Sequence, residues 1–210
     1  MIKNIVFDFD GVILDSVPVK TLAFRHLFSS YSKDSIDEFI IYHEKNGGVS
    51  RFKKIEYFFK KILDEPIDET LIDKYAKTYS ELTKETLADE KFLIDDTLRF
   101  IQKYNTEFNM HIASGADEND LLYICRKLNI DKFFKSIHGS PTPKVEIIES
   151  LLKNYNYKAV ETVLIGDSIN DYEAARDNGI AFLGYNNSLL QEYTYTYLKK
   201  MEDFFNYYDK

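Results

Sequence analysis

The sequence predicts an α/β fold: a three-layer arrangement with a parallel-sheet core and an all-helical insertion after the first strand. Three observations carry this. Short apolar runs alternate with stretches of helical periodicity along most of the chain. Most of these runs end at an aspartate or a glycine, as strands do where they feed a turn. Residues 15–84 break the alternation and show helical periodicity alone.

Residues 2–7 are mostly apolar and rich in β-branched side chains, so they read as a strand buried on both faces. Helical patterns follow at 17–31, 36–45, 51–63 and 67–84, separated by Asn46-Gly47-Gly48 and by Glu65-Pro66. The 12 basic and 12 acidic side chains of residues 15–84 cancel, which leaves the whole net charge of −8 on the remainder. Helix 95–104, strand 110–113, helix 117–128, a short strand 136–138, helix 145–155, strand 162–165, helix 169–178 and strand 181–183 come next. The Tyr-rich tail, 193–210, is expected to be a final helix packed on the core. This order gives a Rossmann-like, discontinuous core of residues 1–14 and 85–210, with 15–84 as a separate helical domain.

The 210 residues, 44% hydrophobic and 30% charged, have a globular balance. An acidic chain lacks the clustered Lys and Arg that nucleic acid or an anionic membrane requires. No apolar run approaches the roughly 18 residues of a membrane span. The N-terminus enters a strand pattern with no signal-peptide layout, so a cytoplasmic location is expected. The single cysteine, Cys125, rules out an internal disulfide and argues against a Cys-rich zinc site.

Four segments carry candidate chemistry. In Asp8-Phe9-Asp10-Gly11-Val12 the two aspartates are two residues apart, so an extended backbone points both into the crevice beyond the strand end. Paired carboxylates there require a cation or a shared proton; a solvated turn is the competing reading. Gly166-Asp167-Ser168-Ile169-Asn170-Asp171 follows another strand, and Gly166 permits a tight turn. Asp167 and Asp171 are capping residues when considered singly. Together with Asp8 and Asp10 they make a hard, oxygen-rich set of the kind Mg2+ prefers. Ser114-Gly115-Ala116 sits between a strand and a helix, where a hydroxyl and backbone N–H groups receive an anion or merely cap a turn. Lys144, behind Pro141-Thr142-Pro143, opens a helix where the dipole disfavours a cation, which suits a lysine facing phosphate or carboxylates.

In their order and strand-end placement, these residues resemble the haloacid dehalogenase superfamily of phosphohydrolases. Residues Asp8 to Ser16 are similar to its first motif, Ser114 to the second, Lys144 to the third and residues 166–171 to the fourth. The helical insertion resembles the cap domain of the phosphoglycolate phosphatase and β-phosphoglucomutase branch. The resemblance implies Asp8 as nucleophile and Asp10 as acid/base, carrying its proton in the first step with acidic neighbours to favour it. It implies Mg2+ held by Asp8, Asp10 through its backbone carbonyl, Asp167 and Asp171, with Ser114, Gly115 and Lys144 on the phosphoryl group. The implied substrate is a small phosphorylated metabolite, handled by a monomer or weak dimer with no nucleic-acid or membrane partner. Lys20, Arg25, Gly48, Ser50, Arg51 and Lys54 are candidate contacts in the insertion. Arg51 is favoured because it follows the flexible glycine loop; Arg51 and Lys54 as a solvated helix edge is the competing reading.

A phosphatase is the leading expectation. A phosphomutase shares the core, but that branch carries a His soon after the first motif, where this chain reads Ser16-Val17-Pro18-Val19-Lys20. It also often has Glu-Asp where this chain has Gly166-Asp167. A dehalogenase lacks the second aspartate that Asp10 supplies. A receiver-type or non-catalytic phosphate-binding module needs only about 120 residues and no helical insertion.

Overall fold

The computed structural model describes residues 1–194 and 196–208. Strands β1 (Asn4–Phe7), β2 (Asn109–Asp117), β3 (Ser136–Ser140), β4 (Thr162–Gly166), β5 (Ala181–Tyr185) and β6 (Tyr197–Leu198) form one sheet in the order β3-β2-β1-β4-β5-β6. Every pairing is parallel. Side chains alternate across such a strand. Accordingly, Ile5 and Phe7 of β1 join one hydrophobic cluster, with Ile112, Ile165 and residues of α5 (Asp95–Tyr104) and α6 (Glu118–Lys127). Val6 joins the cluster on the opposite face, with Leu164 and residues of α7 (Lys144–Asn154) and α8 (Ile169–Asp177). Both faces of the sheet are therefore covered, as the near-continuous apolar strands require.

Helices α1 (Val17–Leu27), α2 (Lys33–Lys45), α3 (Arg51–Tyr57) and α4 (Glu69–Leu87) have a core of their own. It is built largely of aromatic rings: Phe28 stacks on Phe58 at 3.8 Å, and Phe24 lies 4.3 Å from Tyr79. Such pairs add to simple area burial, and they account for much of the chain's aromatic content. Three of these helices begin at a side-chain cap: Ser32 accepts from Ser35 N–H, Ser50 from Lys53 N–H and Asp68 from Leu71 N–H. The expected 51–63 helix widens into a π-helical turn over Phe58–Ile62. Residue 84, the expected boundary, falls inside α4, which continues to Leu87 in the core's cluster.

The tail differs from the expected helix. Strand β6 pairs with β5, Tyr185 opposite Leu198, and among the described residues of the tail only the single turn α9 (Phe204–Tyr207) is α-helical. A Tyr- and Thr-rich segment has strand propensity, and the open edge of β5 offers it a ladder. Tyr195, Asp209 and Lys210, part of that expectation, lie outside the described residues. Among the described residues no helix is long and apolar enough to cross a membrane.

Candidate active site

The strand order reverses at β1, so a crevice opens between the C-terminal ends of β1 and β4, where ligands bind in such sheets. Phe7 pairs with Ile112 on one side and Ile165 on the other, and Asp8 continues the line, its N–H donating to the Ile165 carbonyl at 2.9 Å. The chain then turns at Gly11, whose φ is +76°. A Cβ at Gly11 would lie 2.0 Å from Asp167 Oδ2, so only glycine lets the first loop and Asp167 share this space. Asp171 sits in the first turn of α8, where it and Ser168 form a reciprocal capping box. Ligand oxygens of Asp8, Asp167 and Asp171 lie within 4.8 Å of one another. Lys144, the first residue of α7, places Nζ 2.8 Å from Asp8 Oδ1, an ion pair outside hydrogen-bond geometry, and donates a hydrogen bond to Asp171 Oδ1.

Three carboxylates thus crowd around one ammonium. Burial, reinforced by Asp171 and opposed by Lys144, pushes the Asp8 carboxyl up to about 7. Burial and the charges of Asp8 and Asp171 hold Asp167 well above the ordinary range. Burial acts against the Lys144 charge, but Asp171 and Asp8 outweigh it and hold its pKa above the usual lysine value. The cluster is short of positive charge and its donors are all hard oxygens, so it fits a small divalent cation such as Mg2+.

Asp10 faces the other way. Its carboxylate accepts from Lys20 Nζ at 2.5 Å and from Ser16 Oγ at 2.6 Å. Burial pulls its pKa upward, but Lys20, Ser16 and the more distant Lys54 overcome this and leave it below the ordinary value. The expectation that acidic neighbours would keep Asp10 protonated is corrected here: its dominant partner is a cation from α1. The stretch that reads Ser16 to Lys20 supplies both of its hydrogen-bond donors.

The helical unit faces the crevice across a cavity of about 630 Å3, lined by Asp10 and Asp167 on one side and by Lys20, His43, Arg51 and Lys54 on the other. Ser114 is fully buried on β2 and accepts from the Ala116 N–H at 3.1 Å. A Cβ at Gly115 would come within 2.3 Å of the Gly48 carbonyl oxygen, so the glycine loop between α2 and α3 rests directly on this strand end. Arg51 and Lys54 are buried, which overturns the solvated-edge reading. The Arg51 guanidinium is held by Asp120 of α6 at 2.7 Å and by a hydrogen bond to Ser80 Oγ. Arg25 pairs with Asp37 at an exposed position and Ser50 caps α3, so neither side chain lines the cavity.

The reading of the residues placed Ser16 in the first motif without a role and missed His43, Asn186 and Asn187. Asn186 donates to the Gly11 carbonyl at 2.9 Å and Asn187 to the Asp167 carbonyl at 2.7 Å, so the loop after β5 pins both acidic loops. Their signal was positional: both asparagines stand at the end of a predicted strand, level with the other motifs.

A family model described as haloacid dehalogenase-like hydrolase matches residues 5–185. The chain belongs to the haloacid dehalogenase-like hydrolases. A phosphoglycolate phosphatase from Colwellia psychrerythraea is 26% identical over 186 residues, covering 86% of this chain and 82% of that one. A phosphorylated carbohydrates phosphatase from Thermotoga maritima is 24% identical over 189 residues, covering 85% and 82%. Among solved structures, β-phosphoglucomutase from Clostridium difficile shares the fold with a TM-score of 0.79 at 18% identity, covering 99% of this chain and 95% of that one. A haloacid dehalogenase-type hydrolase from Bacillus subtilis, solved bound to magnesium, aligns with a TM-score of 0.73 at 19% identity over the full length of both chains. The fold and family expected from the four motifs are those found.

Proposed function

We propose that this hydrolase is a Mg2+-dependent phosphatase of small phosphomonoesters, sugar phosphates or phosphoglycolate among them, and that Asp8 carries the phosphoryl group between two half-reactions. One observation supports this above the others: Asp8 is a buried carboxylate facing Lys144, with Asp167 and Asp171 close enough to share a cation with it. The phosphatase names of the relatives point the same way.

Asp8 is the nucleophile. Its oxygen forms a bond to phosphorus as the bond from phosphorus to the leaving oxygen breaks, and water then cleaves the acyl phosphate to regenerate the carboxylate. Lys144, Ser114 and the Gly115 N–H bind the phosphoryl oxygens and hold them in line. Asp8, Asp167, Asp171 and the Asp10 carbonyl would hold Mg2+, which when bound supplies the charge that keeps Asp8 ionised and screens the phosphoryl oxygens. Asp10 moves the protons. The leaving oxygen takes one in the first half-reaction from the Asp10–Lys20 pair, whose proton rests on the Lys20 ammonium 2.5 Å from the carboxylate. In the second half-reaction Asp10 removes one from water, and its pairing with Lys20 holds it in the ionised form this needs. Residues 15–84 act as a cap that closes over the crevice and excludes bulk water, with Arg51 on the substrate side of the closure.

A phosphomonoester panel assayed with and without chelator tests the proposal. Phosphate release that EDTA abolishes and Mg2+ restores is expected. Turnover indifferent to EDTA would contradict the metal's role. Isomerisation of a hexose 1-phosphate, primed by a bisphosphate and without phosphate release, would place the protein with the mutases.

A further inference from the structure

The protein neutralises most of the cations around its cavity. Lys144 lies between Asp8 and Asp171, Lys20 on Asp10, and Arg51 against Asp120. Lys54 differs. It is only 3% exposed, yet among the described residues no carboxylate lies within ion-pair distance of it. Its Nζ meets His43 instead, 2.9 Å from Nδ1 and 3.3 Å from the carbonyl oxygen. Burial, with Lys20 adding to it, pushes Lys54 down to about 7 against the pull of Asp10 and Asp167. Burial and the two lysines push His43 down to about 2, so its ring is neutral. Nδ1 accepts from the Lys54 ammonium, which assigns the ring proton to Nε2. That Nε2 is itself buried without a partner.

This wall of the cavity therefore holds an ammonium that has acceptors in His43 but no counter-charge. A buried charge without a counter-charge is unfavourable, and such groups persist where a ligand completes them. We propose that Lys54, held in place by His43, receives an anionic group on the leaving part of the substrate, a carboxylate or a second phosphate, so that the preferred substrates are phosphomonoesters of acidic alcohols. This rests on the phosphatase reading and adds to it a substrate class, a specificity residue and the residue that positions it. The cavity, at about 630 Å3, has room for a small metabolite reaching from the acidic cluster to this wall.

The test compares 3-phosphoglycerate, whose leaving alcohol carries a carboxylate, with fructose 1,6-bisphosphate, which carries a second phosphate, and with glycerol 3-phosphate, which carries neither. The wild type is expected to favour at least one acidic substrate over glycerol 3-phosphate by roughly ten-fold or more in kcat/KM, as hydrogen bonds to a charged group imply. Whichever acid is favoured identifies the group received. In Lys54→Met that ratio should fall to near one, and Lys54→Arg should restore most of it. No preference in the wild type, or a loss in Lys54→Met that is equal on all three substrates, would overturn the proposal. Calorimetric binding of the same three compounds to Asp8→Asn reads the preference without turnover. Preferential binding where nothing is hydrolysed would sink the phosphatase reading and leave this one standing; hydrolysis without preference would do the reverse.

Discussion

Asp8 and Asp10 are two residues apart and face different partners, and that divergence suits them to the separate roles proposed for them. Asp8 sits in a cluster that raises its pKa to about 7, while Lys20 holds Asp10 below the ordinary range. Environments that push neighbouring carboxyl groups apart separate a nucleophile from a proton carrier. Replacing Lys20 by methionine removes the charge that lowers Asp10 and leaves the burial that raises it. The sign follows: Asp10 protonates at higher pH, so its base form is lost sooner on acidification. The acidic limb of the kcat profile should move up by about one pH unit or more, the span typical of losing one close opposite charge. A limb that stays in place would show that Lys20 does not control Asp10. At this scale chain position and residue type sufficed to single out the strand-end aspartates and Lys144, which the fold brings together, and Ser114, which it buries on β2. The partner of Asp10 was not, since α1 brings Lys20 back over the crevice and no local pattern reports that return.

Among the elements, the contacts between loops matter most. The end of β2 and the glycine loop between α2 and α3 touch backbone to backbone, with no room for a Cβ at Gly115. Gly115→Ala should push the loop off the strand end and lower kcat/KM by about 10–100-fold, the cost of a displacement near 1 Å. The thermal midpoint should change little, because Gly115 and the glycine loop belong to no hydrophobic cluster. Unchanged kinetics would mean that this contact does not position the site. Helix 95–104 was legible to the residue, and most core strands to within one or two, because their apolar runs are clean. The start of α2 was read three residues late, at Ile36, because Ser32 as a cap outranks the first apolar residue. Strand β6 was missed because two residues are too short for a period, and it exists only through its ladder with β5.

For the whole molecule, a sheet carrying the acidic cluster and a helical unit carrying the cationic wall meet across one cavity. Arg51 and Asp120 join the two parts by a buried ion pair. Arg51→Leu leaves Asp120 charged without a partner and should cost about 3 kcal/mol of unfolding free energy, part of which Arg51→Leu/Asp120→Leu should recover. Urea titration measures both, and a single-variant loss below about 1 kcal/mol would show that the pair is solvated rather than structural. The division into core and insertion was an expectation from charge and periodicity, and helices α1 to α4 have a hydrophobic cluster of their own. The way the two parts close on each other was not, because long-range packing leaves no local trace. Everything in the mechanism depends on Asp8 carrying the phosphoryl group. Acid-quenching the enzyme during turnover of an active phosphomonoester and mapping the adduct by peptide mass spectrometry reads this directly. A phosphoryl adduct on Asp8 is expected, absent from Asp8→Asn, which should lose about 1,000-fold or more in kcat with its fold intact. Phosphate release that persists in Asp8→Asn, or an adduct on another residue, would contradict the account.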